Sequence, residues 1–323
     1  MFHPVQLAAA ALSIPLLTAC GGGHGGPPAE LSATTSHMVL AAAGTARMIT
    51  VTNQGPDHTE ALQARATGLP TGSRLRSTCP PQLNPGSSCL VLITPGDRPS
   101  AAPGDPQPVP GTVTIGGSNT NALDVRISVL TYGSVHQGGH VFALDDSVPL
   151  TDSVGGKVLA TVDAPGAHWG PVTTAVPGIQ GDSTAAQGAC DGAVDGRCNT
   201  RRILAQHPSG GRDFAAAHCA DSRHAGHADW YLPAVCELSY DDGVSHLLCG
   251  TQAAPRVPDN VRSRLHDTGL NGLFNFVYWS STQSAANPAG DAHLAVFGRT
   301  FFTSAMGKQT AMSPSKCARA ITP

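Results

Sequence analysis

The sequence has few charged residues, few aromatic residues and no basic excess. Charged side chains make up 13% of its 323 residues, aromatic side chains make up 5%, and the formal net charge is −3 at pH 7. The positive charges are spread along the chain and are matched or outnumbered by negative ones in both halves. Proteins that bind nucleic acid carry clusters of Lys and Arg. The composition therefore predicts no nucleic-acid partner.

Signatures of common enzyme classes are also missing. The chain contains no Gly-x-Ser-x-Gly elbow, no phosphate-binding loop and no His-Glu-x-x-His motif. No two cysteines have the two-residue spacing of a zinc knuckle. We therefore expect a non-catalytic protein that has no cofactor and no metal ion.

A long apolar stretch lies at 7–17. It has the length of a signal-peptide h-region and is too short to span a bilayer. It ends in Leu-Thr-Ala-Cys at 17–20, which resembles the lipobox read by lipoprotein signal peptidase, although residues 1–6 contain no Lys or Arg. The resemblance implies a lipoprotein signal peptide at 1–19 and lipid on Cys20. The alternative is a plain secretory signal followed by a chance cysteine.

Residues 20–30 are rich in Gly and Pro, which predicts a flexible tether behind the lipid. We expect the protein in the bacterial cell envelope, with the membrane as its partner through Cys20. Gly21 resembles the sorting signal for the outer membrane. Eight further cysteines, an even number in an exported chain, predict a disulfide framework. Two of them lie in the first half and six in the second, so each half can close its own bridges.

Short β-rich runs recur in the first half, between turns rich in Gly, Pro and Asn. Several of them alternate apolar and polar residues, as half-buried strands do. This spacing predicts an all-β sandwich over 31–131. The runs are at 47–52, 89–93, 111–115 and 123–129.

The cysteine turn at 79–93 resembles that of bacterial immunoglobulin-like modules related to the ASPM, SPD-2, Hydin group. The strands at 49–53 and 111–115 fit the family patterns on either side of this turn. The resemblance implies an immunoglobulin-like spacer or interaction module in which Cys79 is bridged to Cys89. Such a module implies no chemistry.

Four motifs mark the second half, 133–322. They are Gly-Gly-His-Val-Phe at 138–142, Trp-Tyr-Leu-Pro-Ala-Val-Cys-Glu-Leu at 230–238, Tyr-Trp-Ser-Ser-Thr at 278–282 and Cys-Ala-Arg at 317–319. In this order they resemble the C-terminal domain family of the Legionella collagen-like adhesin. The resemblance implies an α+β fold of the C-type-lectin-like kind. It also implies a bridge between Cys219 and Cys317, with local bridges between Cys190 and Cys198 and between Cys236 and Cys249.

The second resemblance implies attachment to a glycan or protein ligand at a cell surface. The chain has no Gly-x-y collagen stalk, so the resemblance fixes no oligomeric state, and the slightly acidic half argues against a polyanionic ligand. One alternative is a structural or assembly lipoprotein that contacts a partner subunit of the envelope. Another is an enzyme on a lectin-like scaffold, which resembles formylglycine-generating enzymes at fold level only.

Candidate binding residues are few. Trp230 and Trp279 lie inside the motifs and are expected in the core, which leaves as candidates for ligand contact Trp169, Phe301 and Phe302. The second half also contains residue types that could hold zinc or calcium, although loop histidines and turn-forming aspartates account for them better. These residues are His218, His224, His227, Asp145, Asp146, Asp191, Asp195, Asp241 and Asp242.

Overall fold

The computed structural model is mostly β, with several sheets and a few short helices. No helix among the residues it describes is long and apolar enough to cross a membrane. The predicted signal peptide, Cys20 and the tether up to residue 28 lie outside these residues. The structure describes residues 29–106, 108–170, 173–207, 211–241, 248–270, 274, 277–297, 302–310 and 314–322.

Eight strands form two four-stranded sheets in the first module, residues 31–131. The strands are β1 (Leu31–Ala33), β2 (His37–Ala41), β3 (Arg47–Asn53), β4 (Gln63–Thr67), β5 (Arg74–Ser77), β6 (Ser88–Thr94), β7 (Gly111–Gly116) and β8 (Leu123–Leu130). One sheet has the order β1-β3-β6-β5 and the other has the order β2-β8-β7-β4. Alternate residues of both sheets, such as Ile49, Val91 and Ile127, meet in one core. The four predicted runs correspond to β3, β6, β7 and β8.

The second module, residues 133–322, combines three sheets with short helices. In chain order its elements are β9 (Val135–His136), β10 (Gly139–Asp145), β11 (Gly155–Ala160), α1 (Gly196–Ala205), α2 (Ala215–Asp221), α3 (Val235–Leu238), β12 (Gly250–Thr251), β13 (Ala254–Pro255), β14 (Val277–Gln283), β15 (Asp291–Val296), β16 (Phe302–Gly307) and β17 (Ala318–Ala320). The sheet orders are β17-β11-β10-β9, β14-β15-β16 and β12-β13. The last strand of the chain therefore pairs with the early strand β11.

The apolar spacing of Val261 and Leu265 predicts a helix over 258–267, and the helix that the structure shows there is shorter and of another type. Only Arg262–His266 is helical, and it is a π-helix, in which the amide of Asp267 donates to the carbonyl of Arg262 at 2.9 Å. The side chain of Asn260 accepts from the amide of Ser263 at 2.9 Å, which satisfies a free amide at the start of this helix. Leu265 is nevertheless buried, as its apolar spacing predicted.

One disulfide lies within the first module and three lie within the second, so the expected disulfide framework is confirmed. The four pairs are the ones that the two resemblances implied: Cys79 with Cys89, Cys190 with Cys198, Cys219 with Cys317, and Cys236 with Cys249. Three of them close short loops. The bridge between Cys219 and Cys317 spans 98 residues and ties α2 to the residue before β17.

The two modules share packing beyond their covalent link. Val39 and Leu130 of the first module belong to the same apolar cluster as Val154 and Val158 of the second. The guanidinium of Arg47 is completely buried, and it donates to the carbonyls of Val148 and Pro149 at 2.9 and 2.6 Å and to the carboxylate of Asp146. We call this arrangement the Arg47 clasp. It fastens the segment 145–154 of the second module to β3 of the first.

Candidate functional site

Trp169 does not contact solvent, and its predicted ligand contact is wrong. Its side chain is 0% exposed, because it lies in the main apolar cluster of the second module. The indole nitrogen donates to the carbonyl of Ser280 at 2.7 Å. Phe301 lies outside the described residues, and for Phe302 the structure describes only a place in β16. The aromatic candidates therefore define no binding surface.

A buried lysine holds the loops around Trp169. The ammonium of Lys308 donates to the carbonyls of Thr174 and Pro288 at 2.8 and 2.7 Å and to Oε1 of Gln283 at 2.7 Å. It also lies 4.6 Å from the centre of the Trp169 ring. Burial lowers the pKa of Lys308 to about 8. Because the three N–H donors of its ammonium all have acceptors, this lysine connects the surrounding loops and is not free to act as a nucleophile.

Glu237 organises the turn that contains the Trp-x-Leu-Pro motif. Its buried carboxylate accepts from the amides of Ala234 and Gly196 at 2.8 and 3.1 Å. It also accepts from the Tyr231 hydroxyl at 3.0 Å and the Lys157 ammonium at 2.5 Å. Burial, followed by the charge of Glu237, raises the pKa of Tyr231 well above its ordinary value. The four donors fix the position of this carboxylate, so Glu237 holds the turn, the start of α1 and Lys157 together.

Trp230 and Trp279 lie in the core, as their motifs predicted. Both side chains are almost fully buried. The indole nitrogen of Trp230 donates to the carbonyl of His224 at 3.2 Å, and that of Trp279 donates to the carbonyl of Ala167 at 3.2 Å. They support the loops from the inside and are out of reach of a ligand.

Several of the candidate metal ligands have other partners. His224 Nε2 lies 2.8 Å from the carbonyl of Gly138, and His218 Nδ1 lies 3.2 Å from that of Pro165. Asp191 pairs with Arg256, and Asp195 caps α1 by accepting from the amide of Cys198. Within the described part of the chain, no three His, Cys, Asp or Glu side chains are grouped so as to hold a metal. Asp242 lies outside the described residues.

A pocket of about 390 Å³ opens beside the β14-β15-β16 sheet, and we call it the head pocket. Hydroxyl groups, one carboxylate, one imidazole and small apolar groups line it, and the described lining contains no aromatic ring of Trp, Tyr or Phe. A ligand would therefore be held by hydrogen bonds and shape rather than by ring stacking. The lining residues are Gly181, Asp182, Leu248, Ser284, Ala285, Ala286, His293, Thr303, Ser304 and Ala305.

Contacts behind the head pocket fix its walls. Thr303 donates from its hydroxyl to Asp241 at 2.5 Å, and the other carboxylate oxygen of Asp241 accepts from the amide of Cys249 at 2.6 Å. A Cβ atom at Gly181 would meet Leu248 at 2.9 Å, so a larger residue there would displace that wall. Sequence reasoning missed this pocket because its residues come from five separate stretches and carry no motif.

A second concavity runs between the modules, and we call it the inter-module groove. It consists of two cavities of about 550 and 670 Å³ that share Pro108 and His136. Histidines from both modules line it: His37, His136, His140 and His224. Burial, followed by the nearby His37, Arg319 and His227, lowers the pKa of His136 to about 4. Burial also lowers the pKa of His37 and of His140.

No family model matches this chain, and no curated protein matches it. Solved structures that resemble parts of it include domains 4 and 5 of the S-layer protein SbsC, at 14% identity and a TM-score of 0.23, over 31% of this chain and 51% of that one. The secreted serine protease VesC from Vibrio cholerae is similar at 14% identity and a TM-score of 0.25, over 42% and 30%.

A Bacteroides ovatus GH5 xyloglucanase in complex with a XXXG heptasaccharide is similar at 14% identity and a TM-score of 0.22, over 54% of this chain and 34% of that one. The chain spans about half or less of the length of each of these structures. TM-scores this low support no inference about fold or function.

Proposed function

We propose that the chain is a surface-attached bacterial lipoprotein with a non-catalytic binding head. In this proposal lipid on Cys20 anchors the protein, the first module is an immunoglobulin-like spacer, and the second is a C-type-lectin-like head of the Legionella collagen-like adhesin type. Three features support this proposal: the four motifs of the second half, the pairing of the last strand β17 with β11, and the bridge between Cys219 of α2 and Cys317 just before that strand.

The head pocket is the observation that carries the binding role. Its described lining offers the hydroxyls of Ser284, Thr303 and Ser304 and the carboxylate of Asp182 next to small apolar side chains. Directional hydrogen-bonding groups in a concave site of this size suit a polar ligand such as a sugar residue or a peptide turn. The buried charged groups of Glu237 and Lys308 are bound to protein donors and acceptors, which supports a structural role for these two residues.

Filling the head pocket tests this proposal. Ala305 is exposed and lines the pocket, whereas its neighbour Met306 on β16 is 38% exposed and does not line it. The full-length lipidated protein is screened against glycans and against whole cells. We expect Ala305→Trp to abolish the binding found for the wild type and the matched control Met306→Trp to retain it. Equal binding by both variants would remove the head pocket from the proposal.

The alternative role is that of an assembly lipoprotein whose head contacts a partner subunit inside the envelope. Protease added to intact cells separates the two, because an adhesive head must be reachable from outside. We expect cleavage of the head in intact cells. Complete protection, with cleavage only after the envelope is opened, would favour the assembly role.

A further inference from the structure

One wall of the inter-module groove is the outer face of the β2-β8-β7-β4 sheet. His37 lies opposite Arg126 in the register of the parallel strands β2 and β8, and His37 Nε2 lies 3.2 Å from the hydroxyl of Ser128. All three residues line the same cavity. The guanidinium of Arg126 has no ion pair among the described residues, and its side chain is exposed. The wall thus presents a cation, an imidazole and a hydroxyl side by side.

The opposite side of this cavity contains a buried polar atom without a partner. His136 is 8% exposed, and its Nε2 forms no hydrogen bond to any described group. Its ring centre lies 6.3 Å from that of His37. A buried ring nitrogen without a partner costs free energy, which a ligand entering the groove would recover.

The permanently charged groups that act on these two histidines are arginines. The groups that act on His136 are His37, His227 and Arg319, and the one that acts on His37 is Arg126. Arg319 is itself paired with Asp229 at 2.8 Å. Asp124 is the carboxylate among the described lining residues of this cavity, and it accepts from the hydroxyl of Thr114 at 2.6 Å. Such a field repels a metal cation and attracts an anion.

We propose that the inter-module groove binds an oxyanion, a phosphate, sulfate or carboxylate group, held by the guanidinium of Arg126, the imidazole of His37 and the hydroxyl of Ser128. Arg126 provides a forked donor that matches the spacing of two anionic oxygens. His136 lies next to this group and stabilises it once its ring is protonated. The site is separate from the head pocket and does not depend on the lipid.

The site binds more tightly in mild acid. An anion in contact with an imidazole favours the protonated form, so binding and protonation reinforce each other. The bound anion raises the pKa of His37 and His136, which burial lowers, so proton uptake accompanies binding. Arg126, His227 and the Arg319–Asp229 pair face these rings from the neighbouring elements. Asp124 opposes the anion, since two negative charges on one strand face repel.

Titration calorimetry of the mature chain with sulfate and with inorganic phosphate, in chloride buffers of constant ionic strength, tests the proposal. We expect binding that is stronger at pH 5.5 than at pH 7.5. Arg126→Gln should weaken it about tenfold, because a charge-assisted hydrogen bond is lost. Asp124→Asn should strengthen it about threefold, because a like charge is removed. Arg76→Gln, on an exposed strand of the other sheet, is the matched control and should leave it unchanged.

The oxyanion that binds is either a free anion or an acidic group of a larger molecule, and competition experiments distinguish the two. If the natural ligand is a free anion, phosphate and a uronic-acid disaccharide should compete at similar concentrations. A larger acidic ligand should bind at least ten times more tightly than phosphate and should lose that advantage in Arg126→Gln. Absence of binding to either probe, unchanged binding in Arg126→Gln, or weaker binding in Asp124→Asn would each overturn the proposal.

Discussion

Acid should destabilise the protein through His136. Its pKa falls from 6.5 in the unfolded chain to about 4 in the folded protein, mainly because burial disfavours the imidazolium. Well above pH 6.5 the ring is neutral in both states, so the free energy of unfolding does not depend on pH through this residue. As the pH falls from 6.5 to 4, the unfolded chain takes up the proton first, so the free energy of unfolding falls. The fall amounts to about 3 kcal/mol for this one residue.

Urea unfolding at pH 7, 6, 5 and 4, in chloride buffers free of phosphate and sulfate, measures this loss. His136→Gln removes the titrating group and should retain about 3 kcal/mol of the stability that the wild type loses between pH 6.5 and 4. His58→Gln, at an exposed position of the first module, is the control and should follow the wild type. If the His136 variant loses stability in parallel with the wild type, the burial argument is refuted.

Three further predictions concern the disulfide between Cys219 and Cys317, the buried carboxylate of Glu237 and the lipid on Cys20. Replacing both Cys219 and Cys317 by Ser should lower the free energy of unfolding by about 4 kcal/mol, because a loop of 98 residues is released in the unfolded chain; urea unfolding measures this, and a loss under 1 kcal/mol would contradict it. Glu237→Gln should cost about 3 kcal/mol, because the NH2 group of Gln cannot accept from the amides of Ala234 and Gly196 and leaves them unpaired. Lys157→Met should cost less, because it removes one partly exposed donor and leaves the other three; equal losses in urea unfolding would contradict the assignment. Cys20→Ser should release folded protein from the membrane fraction, and a variant that still sediments with membranes would contradict lipid anchoring.

Strands with strong alternation could be predicted from the sequence, whereas the edges of the sheets could not. The strand β3 alternates buried and half-buried residues along its whole length, and the run at 47–52 reveals it. The edge strands β4 and β5 are mostly exposed and polar, so no apolar pattern marks them. Alternation of apolar and polar residues reveals a strand only when one of its faces is buried. An edge strand buries few side chains, so its sequence shows no such alternation.

The site residues were hard to predict for a different reason. Trp169 lies in a stretch rich in Gly and Pro, and its burial depends on Ser280 and Lys308, more than 100 residues away. The inter-module groove likewise unites His37 with His136, which are separated by most of the first module. The cysteine pairs were predictable because the resemblances placed them in known loops. Pairing across a fold can be foreseen only where such a template exists.

The Arg47 clasp bears on how the protein would respond to force. A force applied between the N-terminal end of the first module and the head pocket acts on the contact between β3 and the segment 145–154. In this contact the buried guanidinium of Arg47 donates to two carbonyls and a carboxylate. Such a contact resists shear because its bonds must break together. We therefore expect the two modules to unfold together in one rupture event, whereas modules joined only by a flexible linker would unfold one after the other.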